Sequence, residues 1–279
     1  MNTQEAKLRD AMRGAMWEEK WRETLEEYRS PDLLRVSARR WLEYPKISPV
    51  PNNDWNLPSL GLGTYGWKYN SQIMEEALRL GVGLIDTAEG YGFGKVEKEL
   101  GKVLKEIGYE TWIATKVARN HLSETATISA GKRSRENLGR IDLYQIHWPN
   151  PLAPLEKTLD AMTELLSQKV IDRVGVCNFC GGQLVRAIRL ARERGFEIVS
   201  NQVRLNTKDR GNTEFLIPFC ESLNVRVIAY SSLGQGSLRK EASESLEWVI
   251  DQSGVSVALF RTNSIEHLRD NLSVGKRTK

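Results

Sequence analysis

From Ser59 onward the chain alternates between short apolar runs and stretches whose apolar residues recur at helical spacing. The runs read "SLGLG" (59–63), "VGLID" (82–86), "TWIAT" (111–115), "IDLYQIH" (141–147), "RVGVC" (173–177), "IVSNQV" (198–203), "VRVIAY" (225–230) and "VSVALF" (255–260). Between them the spacing predicts helices, among them Val96–Ile107, Leu155–Gln168, Gln183–Arg194, Glu214–Leu223 and Glu241–Asp251. Apolar strands separated by helices imply a parallel sheet covered on both sides. Eight such units in about 220 residues predict an α/β fold closed as a (β/α)8 TIM barrel. A doubly wound open sheet is the competing layout. Against it, "GLGTYG" (61–66) lacks the glycine spacing of a dinucleotide-binding turn, and no clean helix follows it directly.

The first fifty residues have a different rhythm. Leu8, Met12, Met16, Trp17, Trp21, Leu25 and Tyr28 form an apolar stripe that predicts an amphipathic helix over residues 1–29. Ser30-Pro31 should end it, and a second short helix is expected over Asp32–Leu42. "YPKISPVPNNDWNLP" follows with four prolines and reads as a linker. The expected organisation is a helical extension and linker over 1–50 and a barrel over 51–279.

Bulk properties narrow the function classes. The chain has 279 residues with a net charge of +4, a small excess over 40 basic and 36 acidic side chains. Its densest basic clusters, "SARRW" and "GKRTK", read as solvated surface or tail, so no nucleic-acid partner is expected. Three cysteines, including "CNFC", are too few for a disulfide framework. With three histidines and no second paired-cysteine motif, no metal site is expected either. No apolar run reaches the ~18 residues a bilayer crossing needs. The charged N-terminus does not resemble a signal peptide. These readings give a cytoplasmic protein without a membrane partner.

Chemistry in such a barrel collects at the C-terminal ends of the strands. In order, those ends carry Asp86, with Tyr91 in the following glycine-rich turn, then Lys116, His147, Asn178, Gln202, and Tyr230 with Ser231. Each has a plain structural reading alone: a cap, a loop cation, a satisfied histidine. Together on one face they suit proton transfer to a carbonyl. A phenol at its usual pKa of about 10 exchanges protons poorly at neutral pH, and a nearby ammonium lowers that value. Asp86 would hold and compensate Lys116, and His147 would orient the substrate oxygen. No side chain donates hydride, so this chemistry requires a nicotinamide cofactor.

The segments "LGLGTYGW", "LIDTAEGYG", "IATKV", "IDLYQIHWPNP", "VGVCNF", "SNQV" and "VIAYSSLGQG" resemble, in the same order, those of the aldo-keto reductase family. The resemblance spans nearly all of residues 58–275. It implies a catalytic tetrad of Asp86, Tyr91, Lys116 and His147, acting on a small-molecule carbonyl substrate. It also implies NADPH as cofactor, with NADH as the other nicotinamide form left open. By the same motifs, Asn178 and Gln202 would bind the nicotinamide carboxamide and Tyr230 would stack on its ring. Ser231 and Leu233 would line the pyrophosphate, with Gly234 allowing close backbone approach. Arg261 and Thr262 would meet the 2′-phosphate, and Asn271 the adenine.

The chain departs from the family in several places. Phe260-Arg261 replaces the usual proline followed by glycine or lysine, His267 replaces a basic residue, and Cys177 stands where serine is common. The segment after "GQGSLRK" is about twenty residues shorter than is usual in the family, and the chain stops soon after the last helix. An open substrate pocket with broad selection is the implied result. The N-terminal stripe would pack on the barrel, self-associate or bind a protein partner. That stripe motivates the alternative function, a cofactor-sensing regulatory or scaffold subunit with little turnover. A barrel enzyme without nicotinamide is a third class, and it leaves the four polar residues unexplained.

Overall fold

The computed structural model describes residues 47–277 apart from 52, 54, 109, 122, 151 and 152. These residues belong to the unit Lys46–Lys279. The helices expected over 1–29 and 32–42 lie outside them. Eight strands run in chain order around a closed parallel barrel: β1 (Leu60–Gly63), β2 (Leu84–Asp86), β3 (Trp112–Val117), β4 (Leu143–Ile146), β5 (Val174–Cys177), β6 (Ile198–Arg204), β7 (Arg226–Tyr230) and β8 (Val255–Phe260). β8 pairs with β1 and closes the ring. The expected (β/α)8 barrel is therefore the fold.

One long helix follows each strand: α1 (Ser71–Arg79), α2 (Lys95–Ile107), α3 (Glu124–Leu138), α4 (Leu155–Ser167), α5 (Gly181–Arg192), α6 (Leu216–Ser222), α7 (Ala242–Ile250) and α8 (Ile265–Arg277). Local chemistry sets several boundaries. Asn70 accepts a hydrogen bond from the Gln72 N–H at 3.1 Å, and Ser123 from the Ala126 N–H at 3.2 Å, so each caps the helix that follows it. Gly108 and Gly139 stop α2 and α3 at positive φ, where a side chain would be strained. Val96, Leu100, Val103 and Leu104 line the buried face of α2, as the sequence spacing implies.

Side chains alternate along a strand with a period of two, and here that alternation builds layers inside the barrel. Leu84, Ala114 and Leu143 belong to one buried apolar cluster with Ile228, Val257 and Leu259. Two residues further along β2, β3 and β4 stand Asp86, Lys116 and Gln145, so these polar groups share the next layer. The register sets Lys116 opposite Gln145 and Cys177 opposite Gln202, while Asp86 pairs with Ala114 and meets Lys116 one strand period further along β3.

The stretch expected to be a linker is in large part a plug. Val50 and Trp55 are buried, and Trp55 joins the barrel's interior cluster from the N-terminal end. Its ring meets Trp112 edge-on at 5.6 Å, and the Arg173 guanidinium lies over both indoles at 5.5 and 5.2 Å. Asn53 Nδ2 donates to the carbonyls of Val199 (3.0 Å) and Asn224 (2.7 Å). The Val50 N–H donates to Leu223 O at 2.8 Å. Proline and asparagine content had suggested a free connection, yet the amides are spent on the barrel's own loop carbonyls. A cleft of about 460 Å³ beside this plug is lined by Val50, Asn53, Trp55 and Arg173, at the end opposite the polar layer.

Candidate active site

The polar layer centres on a buried ion pair. Lys116 Nζ donates to Asp86 Oδ2 at 2.5 Å and to the Thr87 carbonyl at 2.9 Å. The other carboxylate oxygen, Oδ1, accepts from Gln202 Nε2 at 2.8 Å and from Gln145 Nε2 at 3.4 Å. A buried pair is tolerated only when its remaining valences are met, and the two glutamines meet those of Asp86. Burial works against the charge on Lys116, but Asp86 and then Tyr91 overcome it and hold the ammonium above its ordinary pKa.

Tyr91 opens a tight turn, Tyr91–Gly94, that continues into α2. Gly92, Phe93 and Gly94 all have positive φ (58°, 55° and 83°), which folds the chain sharply and leaves the half-buried Tyr91 ring over the ion pair. Lys116 Nζ lies 5.5 Å from the ring centroid. As expected, Lys116 pulls the pKa of the phenol down, but it does not act alone. Burial is the larger influence and raises the pKa to about 12, while Lys116 pulls in the opposite direction. The phenol is a protonated group, suited to donating a proton rather than to acting as a standing phenolate.

His147 follows β4 directly, and its ring meets Tyr91 edge-on at 6.0 Å. Burial, then Lys116 and Arg119, depress its pKa to about 3. It is a neutral imidazole over the whole physiological range and so offers one N–H donor and one acceptor. The structure thus brings Asp86, Tyr91, Lys116 and His147 together at the C-terminal end of the barrel.

The nine residues expected at the cofactor lie along the β5 to β8 side of the same rim. Tyr230 donates its hydroxyl to Asn178 Oδ1 at 2.8 Å, and Asn178 Nδ2 donates to the His147 carbonyl at 3.1 Å and to Cys177 Sγ at 3.2 Å. Gln202 is buried and commits its amide nitrogen to Asp86, which leaves Oε1, facing Cys177 Sγ at 3.7 Å. Asn178 and Ser231, each directly after its strand, both adopt positive φ (64° and 56°), which is rare outside glycine. Leu233 and Gly234 lead into a short turn in which Gly234 also has positive φ (54°). Arg261 is exposed and donates to Gly66 O at 3.3 Å. Thr262 Oγ1 accepts from the Ser264 N–H at 3.0 Å, and Asn271 is buried on α8. An exposed guanidinium, hydroxyls and a glycine turn on one rim are the donor set that a phosphorylated dinucleotide needs, so the residues present fit such a group.

Two participants were missed in the sequence. Gln145 was hidden inside "DLYQIH", although an uncharged polar residue amid an apolar strand is itself a signal of an interior partner. Glu89 lies between Asp86 and Tyr91, and its carboxylate reaches the loop after β3.

Comparison with known proteins agrees with this geometry. The Aldo/keto reductase family profile matches residues 59–245. An uncharacterised oxidoreductase of Mycobacterium tuberculosis is 37% identical over 204 residues, covering 69% of this chain and 60% of the relative. The chain thus spans only about three fifths of that relative's length. Methylglyoxal reductase YeaE of Escherichia coli is 30% identical over 251 residues, covering 80% of this chain and 87% of the relative. Among solved structures, the thermostable aldo-keto reductase Tm1743 in complex with the inhibitor epalrestat aligns at a TM-score of 0.71 with 31% identity, covering 79% of this chain and 90% of that one. An aldo/keto reductase of Klebsiella pneumoniae in complex with NADP and acetate aligns at 0.70 with 26% identity, covering 78% and 86%.

Proposed function

Because the chain belongs to the aldo/keto reductase family, we propose that it reduces aldehydes or ketones to alcohols with NADPH, Tyr91 serving as the proton donor. The observation that carries this reading is the convergence of Tyr91, His147 and the Asp86–Lys116 pair on one face of the barrel.

The nicotinamide, when bound, supplies the hydride. Every other role falls to side chains. The neutral His147 donates a hydrogen bond to the carbonyl oxygen and fixes its direction relative to Tyr91. Tyr91 holds its proton at neutral pH and releases it to the same oxygen as negative charge develops there. Lys116 stabilises the phenolate that is left, an interaction strongest when that charge forms, which is the condition for accelerating the step. Asp86 keeps Lys116 in place, and Gln145 and Gln202 keep Asp86 in place.

NADPH would bind along the β5 to β8 rim. Asn178 and Oε1 of Gln202, which accepts from Cys177 Sγ in the structure, would meet the carboxamide, and Tyr230 the ring. Ser231, Leu233 and Gly234 would line the pyrophosphate. Arg261 and Thr262 would hold the 2′-phosphate, with Asn271 near the adenine. Arg261 would exchange one long contact to a carbonyl for a charge-assisted one to phosphate. The reading of a cofactor-sensing subunit has no supporting observation among the described residues, since the extension it depends on lies outside them.

The direct test is NADPH oxidation followed by absorbance with a reactive aromatic aldehyde. Tyr91→Phe should lower turnover by about a thousandfold while leaving NADPH binding unchanged. Wild-type turnover in that variant would exclude Tyr91 as the proton donor.

A further inference from the structure

We propose that Glu89 is a positioning residue that holds Tyr91 over Lys116 by clamping together the two loops that carry them. The hydrogen-bond ladder between β2 and β3 continues past the strands themselves. Past the end of β2, the Thr87 N–H donates to Ala114 O at 2.8 Å and the Glu89 N–H to Lys116 O at 3.4 Å. The chain then turns away at Tyr91, whose N–H closes back on Ala88 O at 2.9 Å. The next donor in reach along the β3 side is the Ala118 N–H. Its partner is the Glu89 side chain, with Oε1 at 2.6 Å.

The carboxylate therefore extends the ladder one rung beyond the point where the backbone can continue it. Glu89 stands two residues before Tyr91, and Ala118 two residues after Lys116. A fixed Glu89–Ala118 contact thus fixes the separation of the proton donor from the cation beside it. The glycine-rich turn on the other side of Tyr91 is built from left-handed residues and has no side-chain cap hydrogen bond. The carboxylate is itself held by His121 Nε2 at 2.9 Å and Arg133 Nη2 at 3.6 Å, and its side chain is only 12% exposed. The Glu89 carboxylate is bonded to the Ala118 N–H, His121 and Arg133, and not to Lys116 Nζ or Tyr91. Its effect passes through Tyr91.

The inference rests on the reductase reading, and the experiment separates the two. Turnover of an aromatic aldehyde at saturating NADPH would be measured for wild type, Glu89→Ala, Glu89→Asp and Glu89→Gln, with NADPH affinity by fluorescence and thermal unfolding in parallel. Alanine removes the acceptor, and aspartate keeps the charge but falls a methylene short. Glutamine keeps an oxygen at full reach. The Ala and Asp chains should lose about 10- to 100-fold in kcat, the scale of a misplaced reacting group, with NADPH affinity unchanged. Glutamine should restore kcat to within about threefold of wild type, because the acceptor and not the charge holds the rung. Wild-type kcat in the Ala chain, or equal loss in the Gln and Asp chains, would overturn the clamp. If the Ala chain does not fold, the contrast decides: Gln above Asp supports the clamp, and Asp at or above Gln overturns it. Absence of turnover in the wild type would instead defeat the reductase reading, and the clamp with it.

Discussion

The two ends of this barrel are built from the same strands and do opposite work. At the N-terminal end, Trp55 closes an apolar layer of Leu84, Ala114 and Leu143, and the nearby cation, Arg173, lies over indole faces. Two residues along the strands, the interior becomes Asp86, Lys116 and Gln145, and the cation is tied to a carboxylate. The first end gains its stability from burial and packing. The second holds a desolvated ion pair, a phenol and left-handed residues at Asn178 and Ser231, all of which cost stability. Separation by a single strand period lets one end support what the other spends.

That division can be broken in graded steps. Lys116→Met should have the largest effect, because it leaves the Asp86 carboxylate buried without its cation. Unfolding in urea should show a loss of about 3–5 kcal/mol, and aldehyde turnover should fall at least about a hundredfold. Trp55→Ala comes next. It should remove about 3 kcal/mol of stability while changing kcat by less than about twofold, since the ring contacts of Trp55 are to Trp112 and Arg173 and not to Tyr91, His147 or the Asp86–Lys116 pair. A matching fall in kcat would show that the ends are coupled.

The pH response is smaller and sharpens the contrast further. His147 has a folded pKa of about 3 against an ordinary 6.5, so between those values the unfolded chain binds the extra proton. Stability should therefore be fully present above about pH 6.5 and decline as pH falls towards 3, by up to about 1.4 kcal/mol per pH unit. His147→Gln should flatten that slope in acid unfolding curves, whereas Trp55→Ala should leave it unchanged. Tyr144→Phe should do least. The Tyr144 hydroxyl is fully buried with no hydrogen-bond partner among the described residues, so removing it should be neutral or stabilising by at most about 1 kcal/mol, read as a small rise in Tm.

Much of the fold was legible because the strands are short apolar runs and the longer helices have clear apolar stripes. That Asp86, Lys116 and His147 stand at the ends of neighbouring strands was legible because each closes or directly follows an apolar run; only as a set do they point to the proposed chemistry. α3 was harder to see. Apart from Leu138 at its end, its buried face is Thr127, Ala130, Gly131 and Ser134, small residues that leave no apolar stripe. They are small because the neighbouring helix is close: a Cβ on Gly131 would lie 2.6 Å from Leu165 Cδ1 on α4. The Trp55 plug was hidden by its prolines and asparagines, whose usual meaning was overridden by carbonyls waiting at the barrel's end. Glu89 was hidden for another reason. The contact that matters for the clamp is to a backbone N–H, and its side-chain partners, His121 and Arg133, lie more than thirty residues away.

The strand period also has a genetic consequence. In β3, Lys116 faces the interior, and its neighbour Thr115 faces α2, where it donates to Glu97 Oε1 at 2.6 Å. Deleting one residue upstream within β3 would move Lys116 into the outward position, opposite Glu97 and away from Asp86. Substitutions on this strand can be graded by size and charge, but a one-codon shift is all-or-none. The loops absorb changes of length, so over generations variation in length should accumulate between the strands, while variation within them should be confined to exchange of one side chain for another.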